Sequence, residues 1–179
     1  MSTLVQRAVR AARLDPTIYE QVEADPQATR QAMLVVVLSS VAAGVGLGFA
    51  GPSAPGRFLF GILAGLAGWA VWAMLIYWIG ARWFPEPGTR SDVGELLRTL
   101  GFAAAPGILR VLGMFVGLTT LVFAVVNLWM LATTVIAVRQ ALDYKSTWRA
   151  VGVCAWGWAV QLLFLAIVWM VFGYSGATP

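Results

Sequence analysis

Few side chains in this sequence could take part in chemistry inside its long apolar segments. The ionisable residues within those segments are Glu95, Arg98 and Arg110. The chain has no histidine and one cysteine, Cys154. This composition excludes disulfide frameworks, Cys/His zinc sites, histidine-based triads and histidine-ligated haems within the chain. General acid–base catalysis needs a titratable group in the site, so we expect no catalytic residue, no metal and no cofactor.

Arg110 is the most informative of these residues. An arginine at the centre of a bilayer costs about 2.5–3.5 kcal/mol on insertion scales. Arg110 lies near the end of its apolar segment, so we expect its side chain to reach the membrane interface; the alternatives are a buried pairing and a contact with lipid phosphate. Asn127, Thr133, Thr134 and Gln161 are expected to form hydrogen bonds between helices, with a substrate pathway as the alternative. Arg110, Asn127 and Gln161 are the candidate intramembrane polar contacts.

Glycines form a second pattern, because several are spaced by four residues within the apolar segments. Small residues at this spacing let helix backbones approach closely in a membrane. They predict a helix-packing or partner surface, and the sequence leaves open whether another helix of this chain or a partner covers it. The candidate residues are Gly44, Gly48, Gly61, Gly65, Gly68, Trp72, Gly113 and Gly117.

The elements that position these residues are predicted from hydropathy. Hydrophobic residues make up 60% of the 179, charged residues make up 11%, and the mean hydropathy is +0.79. A soluble domain has about a quarter charged residues, and a membrane-spanning helix needs about 20 apolar residues in succession. Five runs meet this requirement: residues 33–50, 58–80, 93–113, 118–138 and 150–173. The predicted fold is therefore all-α, a polytopic membrane protein with five transmembrane helices.

The distribution of positive charge predicts how these helices are oriented. Ten of the 12 basic residues precede the first run, lie in the links after the second and fourth runs, or lie at the start of the third run. The positive-inside rule then places the N-terminus in the cytoplasm and the C-terminus outside, in the plasma (inner) membrane. Topology and anionic lipid headgroups account for the basic isoelectric point, so we expect no nucleic-acid partner.

Residues 1–30 are predicted to form a cytoplasmic arm ahead of the membrane domain, residues 31–179. The segment from Leu4 to Leu14 has apolar residues on one side and arginines on the other, which is typical of a helix at a membrane surface. Asp15-Pro16 and Asp25-Pro26 indicate two further helix starts. In the third run, Pro106 should kink or break the helix.

Several segments in order along the chain resemble the Yip family, the Ypt/Rab-interacting membrane proteins, and in particular its short bacterial members. They are Arg10-Ala-Ala-Arg-Leu-Asp-Pro16 with Tyr19, Glu95-Leu-Leu-Arg98, Leu100-Gly-Phe-Ala-Ala-Ala-Pro106, Val138-Arg-Gln-Ala-Leu142 and Trp148-Arg-Ala150. The resemblance implies five membrane helices and a cytoplasmic N-terminus, without a catalytic residue or cofactor. Eukaryotic relatives are associated with vesicle traffic and prenylated small GTPases. That role is not transferred, because the long N-terminal region of those relatives is reduced here to about thirty residues.

Three functional hypotheses follow. The leading one is a non-enzymatic scaffold or adaptor of the bacterial plasma membrane that acts through helix association. Its expected partners are membrane lipids and other membrane proteins or a second copy of the chain, and no small-molecule substrate is assigned. The first alternative is an accessory subunit of a large respiratory or photosynthetic complex. The second is a small-solute transporter or channel whose path is lined by Arg110, Asn127, Gln161 and the Pro106 break.

Overall fold

The computed structural model describes residues 3–49, 52–115 and 117–172. Every regular element among these residues is a helix, and no strand occurs among them. The α-helices, in chain order, are α1 (Leu4–Ala12), α2 (Pro16–Glu23), α3 (Ala28–Gly46), α4 (Ala54–Ile76), α5 (Val93–Ala103), α6 (Thr119–Ala141) and α7 (Thr147–Phe172). A π-helix, Tyr77–Trp83, continues α4, and a 3-10 helix, Ala105–Met114, follows α5. The all-α fold class is confirmed.

Four helical stretches are long and apolar enough to cross a membrane. They are Ala28–Gly46, Ala54–Trp83, Val93–Met114 and Thr119–Ala141, and they coincide with the first four predicted spans apart from shifts of a few residues at their ends. The fifth predicted span, residues 150–173, falls on α7, a helix of 26 residues whose description ends at Phe172. That α7 also crosses the membrane stays a prediction.

Acidic side chains fix the starts of two helices. The carboxylate of Asp15 accepts a hydrogen bond from the backbone N–H of Thr17 at 3.0 Å, and Pro16 occupies the first turn of α2. This helix start was predicted and is confirmed. Asp92 and Glu95 cap α5 reciprocally, each side chain accepting from the backbone N–H of the other at 2.9 Å. Such a pair satisfies two backbone donors that a helix start leaves unbonded.

The end of α3 depends on a glycine. Gly48 has a φ of +69°, a left-handed conformation that glycine adopts without steric cost. This turn lets the N–H of Phe49 donate to the carbonyl of Gly44 at 3.0 Å and closes the helix. Because the turn follows Gly46, α3 ends earlier than the predicted span.

Pro106 breaks the third span, as predicted. α5 ends at Ala103, and the chain continues as ten residues of 3-10 helix. Proline has no backbone N–H and its ring clashes with the preceding turn, so a continuous α-helix is not possible here. The carbonyl of Ala103 accepts a hydrogen bond from the buried hydroxyl of Thr133 in α6 at 2.7 Å. This bond satisfies a polar group that the break would otherwise leave buried and unpaired.

The broken span packs closely against α3 because glycines lie at the contacts. A Cβ added to Gly46 would lie 2.0 Å from the backbone oxygen of Arg110, and one added to Gly107 would lie 2.0 Å from the hydroxyl of Ser39. At Gly101, the added atom would lie 2.6 Å from the Cβ of Ala32. Backbones approach this closely only where side chains are absent.

The N-terminal helices are packed onto the bundle. The side chains of Ile18, Tyr19 and Val22 in α2 are fully buried. The guanidinium of Arg98 in α5 donates to the carbonyl of Val22 at 3.1 Å and to that of Glu23 at 3.0 Å, at the end of α2 where carbonyls lack helical partners. A cytoplasmic location for these helices, and the division of the chain at residue 30, stay predictions.

Candidate functional site

A half-open cavity of about 310 Å³ lies between the helices of the bundle, and α3, α4, α6, α7 and the broken third span all contribute to its wall. Its lining is Val36, Ser39, Ser40, Gly65, Gly68, Trp69, Trp72, Leu100, Ala104, Arg110, Met130, Thr134, Trp158 and Gln161. We call it the central cavity. Six residues selected from the sequence, as helix-packing or as polar candidates, meet there: Gly65, Gly68, Trp72, Arg110, Thr134 and Gln161.

Arg110 supplies the positive charge of the central cavity. Its guanidinium donates to the side-chain oxygen of Asn127 in α6 and lies 5.7 Å from the ring centre of Phe123. The Nε atom is buried and has no hydrogen-bond partner. None of the ion pairs among the described residues involves Arg110. A guanidinium has five N–H donors, and among the described residues this one has an amide partner and no counter-anion.

The winding of the 3-10 helix directs Arg110 into the bundle. Such a helix has three residues per turn, so side chains at every third position lie on one face. Gly107, Arg110 and Gly113 share a face; the two glycines are buried against α3 and Arg110 is partly buried. Leu109 and Leu112 lie on other faces and expose 39% and 45% of their surface. The short packing distance at the glycines therefore brings the arginine into the cavity wall.

Tryptophans form the side of the cavity between α4 and α7. The rings of Trp72 and Trp158 are stacked, with centres 6.0 Å apart. Trp72 lies close to Gly157, where an added Cβ would be 2.9 Å from its ring. Trp69 is oriented by a hydrogen bond from its indole N–H to the carbonyl of Leu97 at 3.0 Å. Aromatic rings of this kind offer a large apolar area for packing.

Two serine hydroxyls of the lining were not selected from the sequence. Ser39 and Ser40 face the central cavity from α3, and the Ser40 hydroxyl donates to the carbonyl of Val36 at 2.9 Å. Two adjacent serines in an otherwise apolar run were the available signal. Hydroxyls in apolar spans usually bond to their own helix or to a neighbouring one, so the pair alone did not indicate a cavity.

Three of the candidate glycines are covered by other parts of the chain. Gly44 faces the ring of Phe58, with 2.6 Å between an added Cβ and the nearest ring atom, and Gly65 faces the hydroxyl of Ser40 at 2.2 Å. Gly113 packs beside the backbone of Gly46. These positions are occupied by contacts between helices of the same chain.

The other candidate glycines have open surroundings. Within the described part of the chain, a Cβ added at Gly48, Gly61, Gly68 or Gly117 would meet no other packed group within 4 Å. Gly48 forms the turn that ends α3, and Gly68 lines the central cavity. Gly117 has a φ of +83°, which glycine adopts readily. Gly61 is therefore the candidate whose open position neither the cavity nor the backbone conformation explains.

A second, acidic cavity of about 490 Å³ lies where α2 meets the start of α5 and the end of α6. Its acidic residues are Glu20, Glu23, Glu95 and Asp143, with Arg139 beside them. Burial, followed by the charges of Glu95 and Asp143, raises the pKa of Glu23 to about 7. No group in the described ranges has three or more His, Cys, Asp or Glu residues placed to hold a metal ion.

The residues that might have served as catalytic groups have structural contacts. The thiol of Cys154 is fully buried among apolar neighbours, where a thiolate is disfavoured. The carboxylate of Glu95 accepts the N–H of Asp92 in the cap of α5. The chemistry that the central cavity can support is recognition of an anion by Arg110. A guanidinium matches carboxylate and phosphate oxygens in shape and charge.

Comparison with known proteins gives one match. The sequence model of the Yip1 domain matches residues 14–170, which include α2 to α6 and most of α7. Neither the curated proteins nor the solved structures contain a match to this chain. With a domain match over most of its length and four helices able to span a membrane, the chain is a membrane protein that belongs to the Yip family.

Proposed function

We propose that this protein binds an anionic group, a phosphate or a carboxylate, in the central cavity. The observation that carries the proposal is Arg110, a partly buried cation with one amide partner, an unbonded Nε and no acidic partner among the described residues. An uncompensated charge in a low-dielectric site is costly, and an anion relieves this cost. The cavity beside it can hold such a group.

The remaining lining supports an amphiphilic ligand. Thr134 and Gln161 provide polar groups within the cavity, while Trp69, Trp72 and Trp158 provide apolar area. Ligand sites are commonly apolar with a few placed polar groups. A lipid whose phosphate contacts Arg110 and a soluble phosphate both satisfy this chemistry, so the experiment separates the two sources.

The test uses the full chain in phosphatidylcholine nanodiscs. Tryptophan fluorescence is followed while inorganic phosphate is added, and in a separate arm while phosphatidylglycerol replaces part of the phosphatidylcholine. We expect Arg110→Gln to weaken binding of the effective probe by at least about tenfold, the effect of losing one charge-assisted contact. Arg57→Gln is the matched control, because Arg57 also lies beside an aromatic ring, Phe49, but outside the cavity.

The two variants separate a cavity site from general charge attraction. Equal losses in Arg110→Gln and Arg57→Gln would show that only net charge matters and would overturn the proposal. A wild-type protein that responds to neither anion would also overturn it. A response to phosphatidylglycerol alone identifies the anion as a lipid headgroup, and a response to inorganic phosphate identifies a soluble one.

We further infer that the protein is non-enzymatic and associates with other helices through the outer face of α4. Of the four candidate spans, Ala54–Trp83 is the least enclosed, with 11% of its apolar window buried, against 56% for Val93–Met114. Phe60 and Leu63 are exposed on this helix, and Gly61 lies between them with open space at its Cβ position. A small residue between large ones is a frequent contact in membrane-helix pairs.

Gly61→Leu tests this association, because the open space lets the new side chain fit without disturbing the fold. We expect chemical cross-linking in native membranes to lose the adducts that wild-type protein forms through α4. Gly152→Leu is the control, since a Cβ added at Gly152 in α7 also meets no other packed group within 4 Å among the described residues. Unchanged adducts in Gly61→Leu would rule out this face as the scaffold surface.

A further inference from the structure

An apolar groove separates α1 from the bundle. It has a volume of about 390 Å³ and lies between Leu4 and Ala8 of α1, Leu38 of α3, Ile108 and Leu109 of the 3-10 helix, and Trp129 of α6, among other residues. It does not share a lining residue with the central cavity. Its walls are carbon-rich, so water entering the groove would find few hydrogen-bond partners.

Polar contacts hold α1 at its end and along its polar side. The indole N–H of Trp129 donates to the carbonyl of Ala12 at 2.7 Å, and the hydroxyl of Tyr19 donates to that of Ala11 at 3.2 Å. Arg7 and Arg10 form ion pairs with Asp25 and Asp15. The apolar side of α1 is thus fixed above the groove without filling it.

Charge complementarity indicates the occupant. Arg13 also lines the groove, is exposed and forms no ion pair in the part of the chain that the structure describes. The other two arginines of this segment, Arg7 and Arg10, already have acidic partners. A hydrocarbon channel with an unneutralised cation at one side matches a molecule that joins an apolar chain to an anionic head.

We propose that this groove binds one acyl chain of an anionic phospholipid, with the lipid phosphate beside Arg13. The acyl chains of lipids surround a membrane protein. Because protein interiors are closely packed, we expect a neighbouring acyl chain to fill an apolar groove that water does not occupy. The headgroup charge then places the lipid in one orientation, since a basic residue near the membrane surface attracts anionic lipid. The site is separate from the central cavity and does not depend on Arg110.

The experiment uses the full chain in phosphatidylcholine vesicles that contain a minor fraction of phosphatidylglycerol with a photoreactive acyl chain. After illumination, the labelled residues are identified by mass spectrometry. We expect labelling of Ala8, Ile108 and Leu109 that exceeds labelling of the exposed face of α4 at Phe60 and Leu63. A photoreactive phosphatidylcholine at the same fraction should label the groove less than phosphatidylglycerol does.

Two substitutions and one control decide the result. Arg13→Gln, at an exposed position, should lower groove labelling by phosphatidylglycerol about fivefold, as expected for one arginine near an anionic lipid surface. Ala8→Phe fills the groove and should abolish most labelling of Ile108 and Leu109. Arg110→Gln is the control and should leave the labelling of the groove unchanged.

Groove labelling no stronger than that of α4, or equal labelling by both lipids, would overturn the proposal. Groove residues that instead cross-link to another protein would identify a polypeptide as the occupant and also overturn it.

Discussion

At the scale of single residues, the charged groups of this protein fall into paired and unpaired sets. Arg7, Arg10 and Arg149 have carboxylate partners at 2.8–3.2 Å. Such partly exposed pairs contribute little stability, but they orient the segments that carry them. Arg110 and Arg13 lie outside this set, and each lines a cavity. Arg110 and Arg13 therefore mark the two places where we expect ligands.

Glu23 predicts a pH dependence of stability. Burial and the neighbouring carboxylates raise its pKa from 4.5 to about 7, so the folded state binds this proton more tightly than the unfolded state does. Stability then falls as pH rises from about 4.5 to about 7. In Glu23→Gln the side chain stays neutral, and we expect thermal unfolding in nanodiscs to show a smaller loss across this window.

Comparing Glu23→Gln with the wild type at two pH values provides the control for this prediction. At pH 4, where Glu23 is protonated, Glu23→Gln and wild type should unfold at similar temperatures, whereas at pH 8 the variant should be the more stable. A difference between the two proteins that does not vary with pH would show that the substitution acts through packing instead of charge.

Adjacent threonines allow a second test at this scale. Thr133 donates its hydroxyl to the carbonyl of Ala103 at the helix break, whereas Thr134 lines the central cavity. Thr133→Val should lower the free energy of unfolding by about 1 kcal/mol, because it leaves a buried carbonyl unsatisfied. Thr134→Val should change it by a few tenths at most, as measured by unfolding in mixed detergent micelles. Equal effects would mean that the bond at the break is not stabilising.

At the scale of elements, glycine positions explain which helices touch. Gly46→Ala would place a Cβ 2.0 Å from the backbone oxygen of Arg110, and a backbone atom cannot move aside as a flexible side chain can. We expect a loss of about 1–3 kcal/mol in unfolding free energy. Gly61→Ala, in open space on a helix, should instead gain about 0.5–1 kcal/mol. Similar stabilities for the two variants would contradict the close packing of α3 against the broken span.

The elements themselves could largely be predicted from the sequence. Apolar runs bounded by charge predicted the four helices that can span a membrane, because hydropathy reports directly on the transfer of a segment from water to lipid. The break followed from Pro106, whose effect on an α-helix is local. The 3-10 winding after it could not be predicted, since it depends on the contact of Gly46 and Gly107 with partners distant in sequence.

The candidate site could be predicted only in part. Arg110 and Gln161 were selected because polar residues in apolar spans are rare, and both line the central cavity. Ser39 and Trp158 were missed, since serine and tryptophan are common in membrane helices and only the packing of separate spans brings them together. The sequence also did not distinguish glycines that pack against other helices of the chain, such as Gly65, from Gly61, which has open space at its Cβ position.

At the scale of the whole molecule, the predicted topology can be tested by cysteine accessibility. In a Cys154→Ser background, Ser53→Cys between α3 and α4 should react with an impermeant maleimide from outside the cell. Ser91→Cys and Ser146→Cys should react only in inverted vesicles, because the positive-inside rule places these links in the cytoplasm. Ser175→Cys should react from outside if α7 crosses the membrane. Reaction of Ser175→Cys only in inverted vesicles would leave four crossings.

In the 3-10 helix Ala105–Met114, the direction of the Arg110 side chain depends on the rotation of the helix per residue. Each residue there turns the chain by about 120°, against about 100° in an α-helix. From Gly107 to Arg110 the difference amounts to about 60°, three steps of about 20°. If this stretch rewound to the α-helical pitch while Gly107 stayed against α3, Arg110 would swing toward the face that Leu109 and Leu112 now occupy. Torsion of one backbone segment would then move the cation out of the cavity wall.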